Sequence, residues 1–214
     1  MVTLDTTKER LLDAAGQVFA ERGFEHATVR EMCRRAKTNI ASVNYYFGDK
    51  EGLYVEVLAH GAQQAVNAFP PHLGLGPNPS AEEELYAFVY SFLCRFLKKD
   101  QPTSWYSTLC AHEMIAPTKA LDRVVRQVIQ PMAERLGTIV RSLIPQASPE
   151  EASRCAMSIV GQCLFYHHSR PVIERLNGPQ RYADSDIKRL ADHITRFSLA
   201  ALRERRTTKE RSPS

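Results

Sequence analysis

The stretch TVREMCRRAKTNIASVNYYFGDKEGLY, residues 28–54, contains two short helical patterns separated by a polar turn. Thr28 can cap the first helix, in which apolar residues recur at the spacing of one buried face: Val29, Met32, Cys33 and Ala36. Asn39 can cap a second helix that ends near Phe47. Two short helices joined by a turn of about three residues form a helix-turn-helix, and the sequence predicts one here.

The second helix has one apolar side and one side of small or hydrogen-bonding residues. A helical wheel places Ile40, Val43 and Phe47 together and gives Ile40 a semi-buried position. The opposite side and its flank carry Ala41, Ser42, Tyr45, Tyr46 and Asn44. In a DNA major groove, Asn can pair with adenine, Ser can bond several base edges, and Ala or Ile can contact a thymine methyl group. Tyrosine hydroxyls can bind phosphate.

Two further residues suit phosphate groups. Lys50 begins the next helix, where backbone N–H groups also point outward, and Thr28 offers its hydroxyl at the start of the first helix of the pair. The sequence therefore predicts a DNA-binding surface formed by Thr28, Asn39, Ile40, Ala41, Ser42, Asn44, Tyr45, Tyr46 and Lys50. A helical hairpin whose tyrosines only pack against neighbours is the alternative.

The same region resembles a known family. Its residues at the matching spacing are Gly23, Phe24, Thr28, Ala36, Tyr45, Phe47, Lys50, Glu51 and Leu53, and with them the first 55 residues or so resemble the DNA-binding domain of the TetR family of bacterial regulators. Lys37 replaces the usual glycine of the turn, which requires either a left-handed lysine or a different turn. Asn39 replaces a serine and keeps the capping ability. Asn44 replaces a common aromatic residue, and the family commonly exposes the position of Ile40.

The remaining chain has helical patterns and no convincing strand, so the predicted fold is all-α. Thr6 and Glu9 fit a capping box for a first helix that Gly23 can end, and a fourth helix runs from Asp49 toward Phe69. After a proline-rich linker at 70–80, Ser80 and Glu83 fit another capping box. Later helices are predicted at 104–115, 118–143, 149–169 and 185–206, with Pro131 kinking or dividing the second of these.

Three segments, NIASVNYYFGDKEGLY, HEMIAPTKALD and SIVGQCLFYHHSRPV, resemble the CecR-type subgroup of the family. The resemblance implies an N-terminal three-helix DNA-binding domain at 1–50 and a C-terminal helical ligand-binding and dimerisation domain at 51–206, followed by a basic flexible tail at 207–214.

A dimer interface is expected in the larger domain, because one helix-turn-helix contacts few base pairs and specificity usually needs two half-sites. In 149–169, three small residues allow close helix approach: Ala152, Ala156 and Gly161. In 185–206, an apolar stripe consists of Ile187, Leu190, Ile194, Phe197 and Ala201. Packing within one chain is the alternative.

A ligand pocket is predicted from aromatic and polar residues in apolar surroundings: Trp105, His112, Glu113, Gln162 and Tyr166. Aromatic residues at helical spacing more often occupy ordinary core positions, and this is the alternative for each of the aromatic residues named. Cys163 and His167 are four residues apart on a predicted helix, but no second cluster completes a metal site, so no metal and no cofactor is expected.

Composition limits the function classes. The net charge of +4 is too small to indicate nucleic acid by itself, although basic residues outnumber acidic ones in residues 28–50. The polar N-terminus and the five scattered cysteines predict a cytoplasmic protein without disulfides or membrane spans. No nucleophile and base are spaced as in an enzyme.

The predicted function is a ligand-responsive transcriptional repressor, a homodimer that binds a palindromic DNA operator and is released by a small-molecule effector. Two alternatives remain open: a regulator whose helical bundle senses a metal or thiol oxidation, and a helical protein-interaction module without specific DNA binding.

Overall fold

The computed structural model of the chain describes residues 3–98 and 104–210, and within them all regular secondary structure is helical. The helices are α1 (Thr3–His26), α2 (Val29–Ala36), α3 (Ile40–Phe47), α4 (Lys50–Ala68), α5 (Ala81–Leu97), α6 (Trp105–Ile115), α7 (Lys119–Val124), α8 (Gln130–Leu143), α9 (Pro149–His168), α10 (Arg170–Asn177) and α11 (Asp184–Glu210), with a π-helical turn at Val125–Ile129. The all-α prediction is confirmed. Over the same residues, no helix combines the length and the apolar character needed to cross a membrane.

The predicted caps of the helices around the turn are confirmed. The Thr28 hydroxyl accepts a hydrogen bond from the backbone amide three residues later at 3.3 Å, and the Asn39 side chain does the same at 3.0 Å. Asp49 accepts from the third amide after it at 2.7 Å, at the start of α4. Ser80 and Glu83 form the reciprocal capping box of α5. Each cap satisfies amides that the first helical turn leaves without an internal partner.

Three boundaries differ from the sequence prediction. Helix α1 already begins at Thr3, so Thr6 lies inside the helix and is not its cap. Helix α10 lies between the helices predicted at 149–169 and 185–206 and was not predicted; Pro171 is in its first turn, where a proline loses no helical hydrogen bond. Helix α11 continues through Glu210, so 207–210 is helical rather than a flexible tail, and 211–214 lies outside the described residues.

Pro131 interrupts the regular register of the long segment predicted at 118–143. The π-helical turn Val125–Ile129 lies directly before it, and the N–H of Gln130 bonds to the carbonyl of Val125, five residues earlier. Because Pro131 has no N–H and its ring crowds the preceding turn, a local change from the i−4 to the i−5 pattern accommodates it.

The chain forms two compact units. The first unit contains α1–α4 as far as Asn67, then α6, α7 and the π-helical turn through Gln130. The second unit contains α5 and, from Pro131 onward, α8–α11. The first unit thus includes helices that the sequence prediction, with its boundary after residue 50, assigned to the second domain. The functional division into 1–50 and 51–206 stays a prediction.

Inside the first unit, the ring of Trp105 lies directly against two glycines. A Cβ atom on Gly16 of α1 would lie 2.5 Å from Cε2 of Trp105, and one on Gly61 of α4 would lie 2.8 Å from its Cη2. Real Cβ atoms do not approach a ring so closely, so only glycine fits at either position. We call this arrangement the Trp105 contact; it brings α1 and α4 together around the first residue of α6.

Candidate nucleic-acid interface

The turn between α2 and α3 contains a left-handed lysine. Lys37 has φ 53° and ψ 48°, which resolves the two alternatives for a residue that replaces glycine. Its N–H bonds to the carbonyl of Arg34 at 3.3 Å, and the N–H of Thr38 bonds to the carbonyl of Cys33 at 2.9 Å. These bonds close the C-terminus of α2 and set the direction in which the chain enters α3.

Arg35 fixes α2 against α1. Its guanidinium reaches Glu21 of α1 at 2.6 Å and Glu31 of α2 at 2.9 Å, and Arg34 also reaches Glu31 at 2.8 Å. Hydrogen bonds from Arg34 and Arg35 lower the pKa of Glu31 to about 2. Two of the basic residues counted in 28–50 are therefore in ion pairs that orient α2. Sequence reasoning missed this role, although the spacing of Glu31 from both arginines indicated it.

Helix α3 exposes one face and buries the other. Val43 is fully buried, whereas Ile40 is 50% exposed and Tyr45 is 77% exposed. Ala41 and Asn44 are also exposed, and the positions i, i+1, i+4 and i+5 lie on one side of a helix. We call Ile40, Ala41, Asn44 and Tyr45 the α3 face.

The semi-buried position that the wheel gives Ile40 is wrong. A helical side chain leans toward the N-terminus and covers the turn that precedes it. Ile40 is the first residue of α3, so no earlier turn of the helix lies beneath its side chain. The wheel describes angles around an axis and does not take account of where the helix begins.

The side chains of Ser42 and Asn39 already form hydrogen bonds within the turn. The Ser42 hydroxyl lies 2.8 Å from the Thr38 hydroxyl and 3.2 Å from Oδ1 of Asn39, which also accepts from the Ser42 amide. Both residues stay predicted DNA contacts. For Ser42, a base contact would have to share or replace these bonds.

The residues predicted to contact phosphates differ in their exposure and in the contacts they already make within the chain. Thr28 and Tyr45 are exposed, and Tyr46 is half-buried with its ring edge-on to that of Tyr45 at 5.0 Å. The Lys50 ammonium donates to the carbonyl of Glu25 at 3.2 Å and lies 4.6 Å from the centre of the Phe24 ring. Lys50 thus links the start of α4 to the last turn of α1, in addition to its predicted phosphate contact.

The predicted ligand-binding residues divide between the two units. Trp105, His112 and Glu113 belong to the first unit, whereas Gln162 and Tyr166 belong to the second. Each set is therefore considered within its own unit.

In the first unit, Glu113 is buried and accepts from the Tyr54 hydroxyl at 2.8 Å and from the Thr118 amide at 2.9 Å. Burial, together with Glu113, raises the pKa of Tyr54. Trp105 is buried in the Trp105 contact, and His112 is exposed. Sequence reasoning did not identify Tyr54 as the partner of Glu113, because 59 positions separate them in the chain.

In the second unit, Gln162 and Tyr166 of α9 line an open cavity of about 370 Å³ together with residues of α11. The Gln162 amide also donates to the Ser198 hydroxyl at 3.2 Å. Within 3–98 and 104–210, no group of three His, Cys, Asp or Glu side chains is placed to hold a metal ion.

Comparison with known families assigns both parts of the chain. Residues 11–57 match the family described as bacterial regulatory proteins, tetR family. Residues 81–202, more than half of the chain, match the C-terminal domain of the HTH-type transcriptional dual regulator CecR. The chain belongs to the TetR family. It is a DNA-binding transcriptional regulator with a CecR-type C-terminal domain, and neither its family nor its relatives are enzymes.

Two curated relatives of this TetR-family regulator are similar over different lengths. CecR of Shigella flexneri is 32% identical over 144 residues, which cover 64% of this chain and 64% of CecR. The repressor NicS of Pseudomonas putida is 26% identical over 209 residues, which cover 93% of this chain and 92% of NicS. The match to CecR thus spans less than two thirds of that protein.

Solved structures confirm the fold of this TetR-family regulator. A TetR-family regulator from Mesorhizobium loti superimposes with a TM-score of 0.69 at 16% identity, over 94% of this chain and 98% of the other. FadR from Bacillus subtilis, solved in complex with stearoyl-CoA, has a TM-score of 0.69 at 14% identity, over 90% of this chain and 97% of FadR. At these identities the likeness establishes the fold alone.

Proposed function

We propose that this regulator is a ligand-responsive repressor that binds a palindromic operator as a homodimer and leaves it when a small molecule binds. The observation that carries the proposal is the α3 face. It presents an amide, a phenol and two apolar side chains on a short helix whose opposite residue, Val43, is fixed in the core. A helix of this kind fits the major groove, and a rigid support keeps its side chains in register with the bases.

The DNA contacts follow from the chemistry of each exposed group. Tyr45 and Tyr46 with Thr28 and Lys50 would bind phosphates on either side of the groove. Asn39, Ile40, Ala41, Ser42 and Asn44 would lie at base edges. Phosphate contacts give affinity for any sequence, whereas base contacts give preference for one.

The proposed dimer interface lies on α9 and α11. Three large apolar side chains there are strongly exposed in the single chain: Met157 at 61%, Phe165 at 54% and Phe197 at 63%. A Cβ atom on Gly161 would meet nothing within 4 Å, so a second helix could approach closely at that point. A second copy of the chain would cover this face with the same face of its own, as in a twofold-symmetric dimer.

The predicted dimer residues do not all remain available for a partner. Ala152, Ala156, Ile187 and Ile194 are buried in the core of the second unit. Gly161, Phe197 and Ala201 are exposed. The apolar stripe predicted on α11 is therefore divided: some of its residues pack inside the second unit, and others are exposed on its surface.

The environment of two of the five cysteines supports a small-molecule effector over thiol sensing. Burial raises the pKa of Cys110 and of Cys163 to about 12, so both thiols stay protonated near neutral pH and are poor nucleophiles. FadR, a protein of the same fold, was solved with stearoyl-CoA. Gln162 and Tyr166 are our candidates for the effector site in the second unit; Gly161 and Phe165 of the proposed dimer face line the same open cavity, so an effector there would lie at the interface between the two copies. Trp105, His112 and Glu113 remain candidates in the first unit.

Release from DNA would follow if the effector prefers a conformation in which the two α3 helices of the dimer no longer match the half-site spacing. Helix α4 is our candidate for transmitting that change, because it follows α3 directly and is bonded to α6 and α7 through Tyr54 and Glu56. A nearly complete switch requires a preference of about 5 kcal/mol between the two states.

The deciding experiment is fluorescence anisotropy with a library-selected duplex and a scrambled one over a series of salt concentrations. We expect the selected duplex to bind at least a hundredfold more tightly near physiological salt. Tyr45→Ala should weaken both duplexes, whereas Asn44→Ala should weaken the selected one and relax its preference at one position. Leu176→Ala, on α10 and equally exposed, is the matched control and should change neither. Equal binding of both duplexes at every salt concentration would refute specific recognition.

The dimer has its own test in sedimentation velocity. Phe197→Glu places a charge on the exposed apolar face, and we expect it to produce monomers that keep the helical signal in circular dichroism. Leu176→Glu is the control on another exposed helix. A wild-type chain that sediments as a monomer at operator-binding concentrations would contradict this part of the proposal.

A further inference from the structure

Ile40 is an exposed apolar side chain on a surface otherwise built for polar contacts. It is 50% exposed as the first residue of α3, and Ala41 beside it is also exposed. A single exposed isoleucine is ordinary on a protein surface. Its position is informative because Asn44 and Tyr45 lie one helical turn further along the same face.

The polar neighbours of Ile40 are already engaged. Oδ1 of Asn39 accepts from the amide and the hydroxyl of Ser42, and the Ser42 hydroxyl also lies 2.8 Å from that of Thr38. Apart from the side-chain NH2 of Asn39, the first turn of α3 therefore offers its surroundings chiefly the aliphatic groups of Ile40 and Ala41. A base edge with only donors and acceptors would lose hydration against them without gaining a partner.

One base offers a matching group. Among the four bases, only thymine carries a methyl group in the major groove, at its C5 position. We infer that Ile40 is a specificity-determining residue that packs against the 5-methyl group of a thymine in each operator half-site, with Ala41 beside it. The inference rests on the proposed function, since it requires α3 to lie in the major groove.

The geometry of α3 also places a second base near this thymine. Asn44 is four residues after Ile40, a rise of about 6 Å along the helix axis. This corresponds to about two base-pair steps of B-form DNA. An adenine paired with the Asn44 amide should therefore lie within about two base pairs of the thymine.

Uracil substitution tests the inference directly, because deoxyuridine differs from thymidine only by the missing methyl group. Each thymine of the selected duplex is replaced in turn, and binding is measured for the wild-type protein and for Ile40→Ala. At one position in each half-site, we expect uracil to weaken wild-type binding about fourfold, the value of one buried methyl group, and about fifteenfold when both half-sites are changed. For Ile40→Ala the same change should cost less than about twofold.

Control variants separate this contact from general weakening. Ile40 is 50% exposed and is not part of the buried core cluster of the first unit, so Ile40→Ala should fold normally, which circular dichroism checks. Asn44→Ala should weaken binding and yet keep the uracil penalty. If the selected duplex binds well above the scrambled one but no uracil penalty depends on Ile40, the inference is wrong and the proposed function stands. If no duplex is preferred over the scrambled one, both are wrong.

Discussion

The α3 face and the Trp105 contact belong to the same compact unit and are stabilised in opposite ways. The α3 face is exposed, and hydrogen bonds between residues close in the chain hold it in place, among them the Asn39 cap. The Trp105 contact is buried and joins positions 16, 61 and 105. The indole Nε1 has no hydrogen-bond partner in the described structure, so shape alone defines the contact. The face can therefore change its side chains without unfolding the unit, whereas the contact cannot.

The largest expected effect comes from filling the space that Trp105 occupies. Gly61→Ala places a Cβ atom within 3 Å of the ring, and we expect a loss of about 3 kcal/mol in the free energy of unfolding, measured by urea denaturation followed by circular dichroism. Gly137→Ala in α8 is the matched control: its Cβ would meet only Nη1 of Arg141, at 3.4 Å, so it should stabilise by about 0.5–1 kcal/mol.

A double-mutant cycle decides whether the ring causes this loss. Trp105→Ala alone should cost about 3–5 kcal/mol, and adding Gly61→Ala to it should cost clearly less than Gly61→Ala does alone, because only the approach of the new Cβ to Cδ2 of Tyr106 at 2.9 Å would remain. If the losses from Trp105→Ala and Gly61→Ala were additive, the Trp105 ring would not be the cause of the loss at Gly61. The contrast between the Trp105 contact and the α3 face would then have no physical basis.

A smaller loss is expected from the buried hydrogen bond between α4 and α6. Tyr54→Phe removes the hydroxyl that donates to Glu113 and should destabilise the protein by about 1–2 kcal/mol in the same denaturation experiment. Tyr45→Phe makes the same chemical change on the α3 face and should alter the free energy of unfolding by less than about 0.5 kcal/mol. Equal effects of the two substitutions would remove the distinction between the interior and the face.

The α3 cap should contribute about 1 kcal/mol. Asn39→Ala removes the acceptor for the Ser42 amide, while Asn39→Ser retains a capping oxygen and should be close to neutral. Thermal unfolding of the two variants provides the comparison. A loss in Asn39→Ser as large as in Asn39→Ala would indicate that the side-chain amide of Asn39, rather than its capping oxygen, stabilises the turn.

A gain of about 0.5–1 kcal/mol is expected from Lys37→Gly, since glycine adopts the left-handed conformation of this turn without a steric cost. The midpoint of urea unfolding should rise with an unchanged slope. Lys37→Ala keeps the cost and should show no such gain. A lower midpoint for Lys37→Gly would mean that the lysine side chain stabilises the turn by contacts that outweigh the strain.

The smallest expected effect is a pH dependence from the ion pairs of α2. The pKa of Glu31 is lowered to about 2 by Arg34 and Arg35, so its contribution is present above the unfolded pKa near 4.5 and is lost as the pH falls toward 2. Wild type and Glu31→Gln should therefore differ in stability near pH 6 and converge near pH 2. Parallel curves over this range would show that the ion pairs do not stabilise the fold.

The sequence predictions that succeeded use rules that need only neighbouring residues, although the same kind of rule failed for the capping box at Thr6 and Glu9. The caps at Thr28 and Asn39 depend on an amide three positions away, and both were predicted. The exposure of Ile40 depends on where α3 begins, which the wheel ignores. The Trp105 contact depends on three distant glycine and tryptophan positions that no local pattern connects. The DNA and ligand contacts depend on partners outside the chain, and they stay predictions.

The Trp105 contact also gives the first unit an intrinsic fluorescence signal. The chain has one tryptophan, and it is buried in the first unit. Emission excited selectively from the indole therefore follows the first unit alone, whereas far-ultraviolet circular dichroism follows the helices of both. Superimposed denaturation curves from the two signals would mean that the units unfold together, and an earlier change in emission would mean that the first unit opens while the second stays folded.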